Sequence, residues 1–184
     1  MFADSSHTKT EDPMRAKRFA ITLVVAGLWA AVGLPLRAED KENAALLANS
    51  LSQASVSLAQ ALKASEPEGK PISGKFEIED GALQLSVYTT KGGKFSEVVV
   101  DHKSGSIAKA EAITDADDLK EAAVQSLAMT KAKVSLEKAV RDAVAANPGY
   151  RATSVAPMTK SGSPMAEVTL IKGVELKKFL KKLD

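Results

Sequence analysis

The sequence has no cysteine, one tryptophan and two histidines in 184 residues, and aromatic residues make up only 4% of it. Without cysteine there can be no disulfide, no thiolate metal site, no cysteine nucleophile and no lipidated bacterial N-terminal cysteine. Stability outside a cell must then come from packing. Sequence motifs for catalysis are absent as well: there is no Gly-rich phosphate loop, no Gly-x-Ser-x-Gly and no His-Glu-x-x-His. Serines are plentiful, but a hydroxyl without a base is inert. The composition, 45% hydrophobic and 26% charged, is that of an ordinary globular chain, long enough for one domain or two small ones.

The N-terminal part reads as export machinery. Arg15, Lys17 and Arg18 form a basic cluster, Phe19 to Leu36 carries no charge, and Leu36-Arg37-Ala38 ends on a small residue before Glu39-Asp40. This is the pattern of a secretory signal peptide cut near Ala38. Met14 stands directly before the basic cluster and is the favoured start, which makes the polar first 13 residues an upstream extension; a long n-region is the alternative. An uncleaved anchor is the competing reading, because an apolar run of this length could just span a bilayer. Gly33, Pro35 and Ala38 favour cleavage. Without residues 1–38 the chain keeps 20 basic and 20 acidic residues and is neutral. A neutral exported domain has no general electrostatic reason to hold nucleic acid or anionic lipid.

The mature part is organised around a β-meander from Gly74 to Ile107, with turns at Asp80-Gly81, Gly92-Gly93 and Lys103-Ser104-Gly105. Phe76 and Ile78 alternate with charged residues, and Leu83, Leu85 and Val87 alternate with polar ones, so each strand has one buried and one wet face. Val98, Val99 and Val100 are consecutive, which calls for a central strand covered on both sides or for a bulge. Before the meander, Glu42 to about Ser65 has helical spacing and reads as one helix or as a helix broken near Ser55. After it, Ser106 to Ile113 can add a short fourth strand. Thr114 or Asp115 then caps a helix whose expected apolar face is Leu119, Ala122, Ala123, Leu127 and Met129. Ser135 caps another through Val144, ended by Asn147-Pro148-Gly149. Strands follow around Tyr150 to Met158 and Met165 to Ile171. Val174 to Leu183 fits helix or strand by period alone.

An internal repeat decides for strand. Val56-Ser57-Leu58 matches Val134-Ser135-Leu136, Gly81 matches Gly162, and Val99-Val100-Asp101 falls close to where Lys182-Leu183-Asp184 falls. The order helix, strand, turn, strand, glycine turn, strand thus occurs twice at roughly 80-residue spacing, with small insertions expected in the turns. The predicted fold class is α+β, two tandem units of a helix packed on a small antiparallel sheet, with boundaries 1–38, 39–113 and 114–184.

The first copy, FEIEDGALQLSVYTTKGGKFSEVVVDHKSGSI with its helix, resembles a PepSY domain, whose strand, glycine turn and strand end in a V-x-V-D-x-x-x-G pattern. Here that ending is Val98, Val100, Asp101 and Gly105. The second copy is similar but more divergent, and it stops at Asp184 with no following glycine turn. The resemblance implies a secreted or membrane-proximal, non-catalytic protein. The family occurs in metalloprotease propeptides, which makes a protein partner, an extracytoplasmic peptidase in particular, the expected target of a binding or inhibitory module. Fold alone does not transfer that role.

Asp101-His102 has the chemistry of a metal or acid–base pair, but His102 is the single histidine of the mature chain, so a turn is expected. Asp115, Asp117 and Asp118 invite calcium, yet Lys120 stands where an EF-hand loop needs glycine, so helix capping is expected. No catalytic, metal or cofactor-binding residue is assigned. Lys172, Lys177, Lys178, Lys181 and Lys182 read as guards of an edge strand. As the alternative they form a docking strip for an acidic surface, in a structural or envelope-associated accessory protein.

Overall fold

A computed structural model describes residues 38–184. The export segment and the start at Met14 lie outside the described residues. The elements are α1 (Ala38–Leu51), α2 (Leu58–Ala64), β1 (Lys70–Glu79), β2 (Ala82–Lys91), β3 (Lys94–Val100), β4 (Ile107–Ala112), α3 (Ala116–Thr130), α4 (Leu136–Ala145), β5 (Arg151–Lys160), β6 (Ser163–Lys172) and β7 (Glu175–Lys182). The fold class is α+β. All seven strands form one antiparallel sheet in the order β4-β3-β2-β1-β5-β6-β7.

Local chemistry explains the elements. Asp80 and Gly81 have φ of 50° and 77°, and Ser161 and Gly162 have 50° and 81°. Two consecutive positive φ values make a two-residue turn whose twist matches that of the flanking strands, and glycine tolerates the second position without strain. The N-cap hydroxyls of Ser57 and Ser135 accept from the amides of Gln60 and Lys138, and Asp115 caps α3 by accepting from Asp117 and Asp118. The run Val174 to Leu183 is a strand, β7, as expected from the internal repeat in the sequence. The helix expected over Glu42–Ser65 is broken between Leu51 and Leu58. The break is tied down by Arg151, whose guanidinium donates to the carbonyls of Leu51 (2.7 Å), Ala54 (2.8 Å) and Val56 (3.1 Å). Lys70 does the like for α3, its Nζ donating to the Met129 carbonyl at 2.9 Å.

Positions 81 residues apart behave alike along the strands. The register of β1 on β2 shifts at Ile72, and that of β5 on β6 shifts at Thr153. Gly74 pairs with Val155, where β1 and β5 join the strands into one sheet. Lys70 and Arg151, the two helix-end donors, are 81 apart as well. The connecting turns are equal in length in the two halves. The insertions expected in them lie instead in the helix, since α4 has 10 residues where α2 has 7.

Side-chain alternation separates two faces of the sheet. A Cβ on Gly74 would lie 3.3 Å from Leu58 Cδ1 and 3.4 Å from Leu62 Cδ2, so α2 sits close over that face of β1. Phe76, Leu85, Val87, Val98, Val155 and Val168 share this face by register and are buried there. The residue before Gly74, Ser73, points the other way and donates to Gln125 Oε1 of α3 at 2.6 Å. Helices thus cover both faces. Val98 and Val100 are buried on the apolar face while Val99 is half-buried on the other, and the bulge beside them is on β4, where Ala108 and Lys109 share one partner position.

The orientation of α3 corrects the sequence reading. Asp118, Ala122, Gln125, Ala128 and Met129 are its buried residues, whereas Ala123 is exposed and Val124 and Leu127 are 66% and 64% exposed. The helix meets a sheet face that carries Ser73, Lys75 and Glu77, so its polar residues turn inward and part of its apolar stripe turns out.

Candidate functional site

Asp101 is a turn residue. Its Oδ1 accepts from the amides of Lys103 (3.1 Å) and Ser104 (2.6 Å) and from the Ser104 hydroxyl (2.8 Å). The Ser104 bonds, followed by that of Lys103, hold its carboxyl below the usual range. The carbonyl of His102 accepts from the amides of Ser55 and Val56, and its buried Nδ1 has no partner among the described residues. The V-x-V-D-x-x-x-G ending therefore serves to lock the connection before α2 onto the end of β3. Asp115 caps α3, Asp117 pairs with Lys120 at 2.7 Å, and among the described residues no acidic or histidine group is arranged to hold a metal ion.

Sequence reasoning missed a polar cluster on the face under α3. Lys75 (9% exposed) pairs with Glu77 and lies 5.9 Å from the Tyr88 ring centroid. Gln84 Nε2 donates to Glu79 (2.7 Å), to the Ser86 hydroxyl (3.0 Å) and to Glu97 (3.4 Å), and the Tyr88 hydroxyl donates to Glu97 at 3.4 Å. Burial, opposed by Ser86 and reinforced by Glu77 and Glu79, raises the Glu97 carboxyl. Burial, then the nearby carboxylates Glu97, Glu77 and Asp118, raises the Tyr88 phenol. The alternation of Lys75, Glu77, Gln84, Ser86, Tyr88 and Glu97 was the available signal. These residues share one face by register, but only the fold shows that this face is covered.

A cleft of about 280 Å³ opens between α2, the end of α3 and the start of α4, lined by Leu62, Met129 and Leu136 among others. Its carboxylates are committed, Glu66 to Lys63 and Glu137 to Arg141. No nucleophile–base pair faces it.

The remaining chemistry is that of the two sheet edges, β4 and β7. The amide of Ile113 donates to the Phe95 carbonyl, and that of Leu183 donates to the Pro164 carbonyl. Antiparallel bonding alternates, so these bonds fix the phase of each edge. On β4, Lys109 and Glu111 turn their main chain to β3, and Ala110 and Ala112 present N–H and C=O outward. On β7 the outward residues are Leu176, Lys178, Leu180 and Lys182. The stretch of β2 that carries Ser86, Thr89 and Thr90 lies between β1 and β3 and has both sides paired.

Of the C-terminal lysines, Lys177, Lys178, Lys181 and Lys182 are on the edge strand β7 and Lys172 ends β6, and they do not form one strip. Lys178 pairs with Glu167 at 2.8 Å on the face of α3, whereas Lys181 pairs with Asp142 of α4 at 2.8 Å on the other. Lys172 and Lys177 lie 5.8 and 5.7 Å from the Tyr150 ring centroid.

No family model matches the chain, and no curated protein matches it either. A crystal structure of a "putative lipoprotein" from Clostridium difficile 630 is similar at a TM-score of 0.38 and 10% identity, over 62% of this chain and 75% of that one. A likeness this low carries no argument about fold or function.

Proposed function

We propose that the chain is an exported, non-enzymatic binding module of two PepSY-like units, residues 39–113 and 114–184, acting in the periplasm or outside the cell after its leader is removed. The equal turns, the bulges at Ile72 and Thr153 and the reciprocal clasps from Lys70 and Arg151 support two units related by a pseudo-twofold axis through the Gly74–Val155 pair. The observation that carries the function is the pair of open edges with main-chain donors and acceptors turned outward. An extended segment of a partner adds there as a further strand, main-chain bonds giving affinity and alternate side chains giving specificity. The candidate partner is an extracytoplasmic peptidase, held or inhibited through such a segment. Neutral charge gives no attraction for nucleic acid, and no helix among the described residues is long and apolar enough to cross a membrane.

The test is a pull-down from the envelope fraction of the native host with the processed protein, at low and high salt. A peptidase retained at high salt, with its activity changed by the bound protein, is the expected result. Retention only at low salt would replace this reading with the accessory role through the lysines, since charge-driven docking is screened and main-chain pairing is not.

A further inference from the structure

The two edges differ in what they can accept. β7 pairs with β6 over eight consecutive positions without a register shift, whereas β4 is six residues long and carries the bulge at Ala108. A bulge twists an edge away from further pairing; a regular edge stays open to it. The far end of β7 is also held, because the Leu183 carbonyl accepts from the amides of both Lys133 and Val134. Little freedom is then lost when another strand adds.

The side chains on β7 say what that strand should be. The residues with outward amides, Leu176, Lys178, Leu180 and Lys182, place their side chains on one face by alternation, apolar and cationic in turn. Leu180 is 43% exposed. A second copy of β7 would set lysine against lysine, which opposes self-pairing. We infer that β7 is the docking edge and that its ligand is an extended acidic segment of another protein, in which every second residue lies on one face and is in turn a carboxylate and an apolar side chain. This rests on the strand-addition reading above and names its edge and ligand chemistry. In the added strand the carboxylates fall opposite Lys178 and Lys182, and the apolar residues fall opposite Leu176 and Leu180. The lysines that keep copies apart are the ones that select the partner.

The test uses protein expressed from the full reading frame and two capped synthetic peptides of about eight residues, Val-Thr-Glu-Thr-Val-Thr-Glu-Thr and its counterpart with lysine in place of glutamate. Amide hydrogen exchange is followed by NMR. The acidic peptide should slow exchange at Leu176, Lys178, Leu180 and Lys182 by about tenfold or more, and the basic peptide should not. The double variant Lys178→Gln with Lys182→Gln should weaken binding about tenfold, and Leu180→Pro, which removes an outward N–H, should do so independently. Slowed exchange at Ala110 and Ala112 instead overturns the assignment to β7, equal binding of both peptides overturns the acidic ligand, and either leaves strand addition standing. No protection at either edge overturns both.

Discussion

The two faces of the sheet are built from the same strands and are held by different physics. Beneath α2 and α4, Leu85, Val87, Val98, Val168 and Leu170 are 0% exposed, in a layer with no polar partner to satisfy. Beneath α3, Ser73, Lys75, Ser86, Tyr88 and Gln125 are buried almost as deeply, and each is bonded or charge-paired. The apolar layer draws its stability from area and close packing, which do not depend on pH. The polar layer draws less, because every bond made there replaces one to water. The difference teaches that a covered face need not be an apolar one. A helix can dock on polar residues provided that its own inward side chains answer them.

The contrast can be broken most severely from the apolar side. Leu85→Ala should lower unfolding stability by about 3 kcal/mol, read as a lower urea midpoint with an unchanged slope. On the polar side, Lys75→Met should cost about 1–3 kcal/mol at neutral pH, because the carboxylates of Glu77 and Glu97 lose their ammonium neighbour. That loss should shrink in acid, where calorimetry at several pH values would show the variant approaching the wild type. Glu97→Gln sharpens the comparison in the opposite direction. The folded carboxyl titrates above its ordinary 4.5 because it is buried, so the folded state binds the proton more tightly than the unfolded one. Stability therefore falls as pH rises from the unfolded value through the folded one, and the full cost is present at neutral pH. The variant should raise the melting temperature by about 2–4 °C at pH 7 and have no effect well below pH 4. The smallest effect is expected outside both layers: Val124→Ser and Leu127→Ser should stay within about 0.5 kcal/mol, since neither side chain is covered. A loss of about 2 kcal/mol at either position would mean that the stripe is buried in solution.

Much of this fold was legible from alternation and turn chemistry. The meander and the caps at Asp115 and Ser135 follow from short-range rules, and the strand at Val174 to Leu183 follows from the internal repeat; the cap at Ser57 falls inside the helical spacing of Glu42 to Ser65. The inward side of α3 did not follow, because periodicity reports where apolar residues lie and not which surface they meet. Of the expected stripe Ala122 and Met129 are buried, but Ala123 and Leu127 look like core until Ser73 and Lys75 are known to be opposite. The clasp from Arg151 was invisible for a similar reason, since it joins residues about 100 apart through carbonyls that carry no sequence signal. The edges were partly legible: the lysines marked β7 as one, but which amides face outward depends on the bonding phase set at Leu183.

The clasps from Lys70 and Arg151 have a consequence for how such a chain can come apart or come together. Each donor sits on the first strand of one half and closes a helix end in the other, while Gly74 and Val155 zip the same boundary. A half released by proteolysis between Ala112 and Ala116 would carry a bare strand and an open helix end, both shaped for a counterpart. Two such fragments from different molecules would complete each other as readily as the two halves of one chain. Cleavage at that linker should therefore give exchange of halves between molecules before it gives unfolding, and mixing isotopically distinct nicked samples would reveal it as hybrid mass.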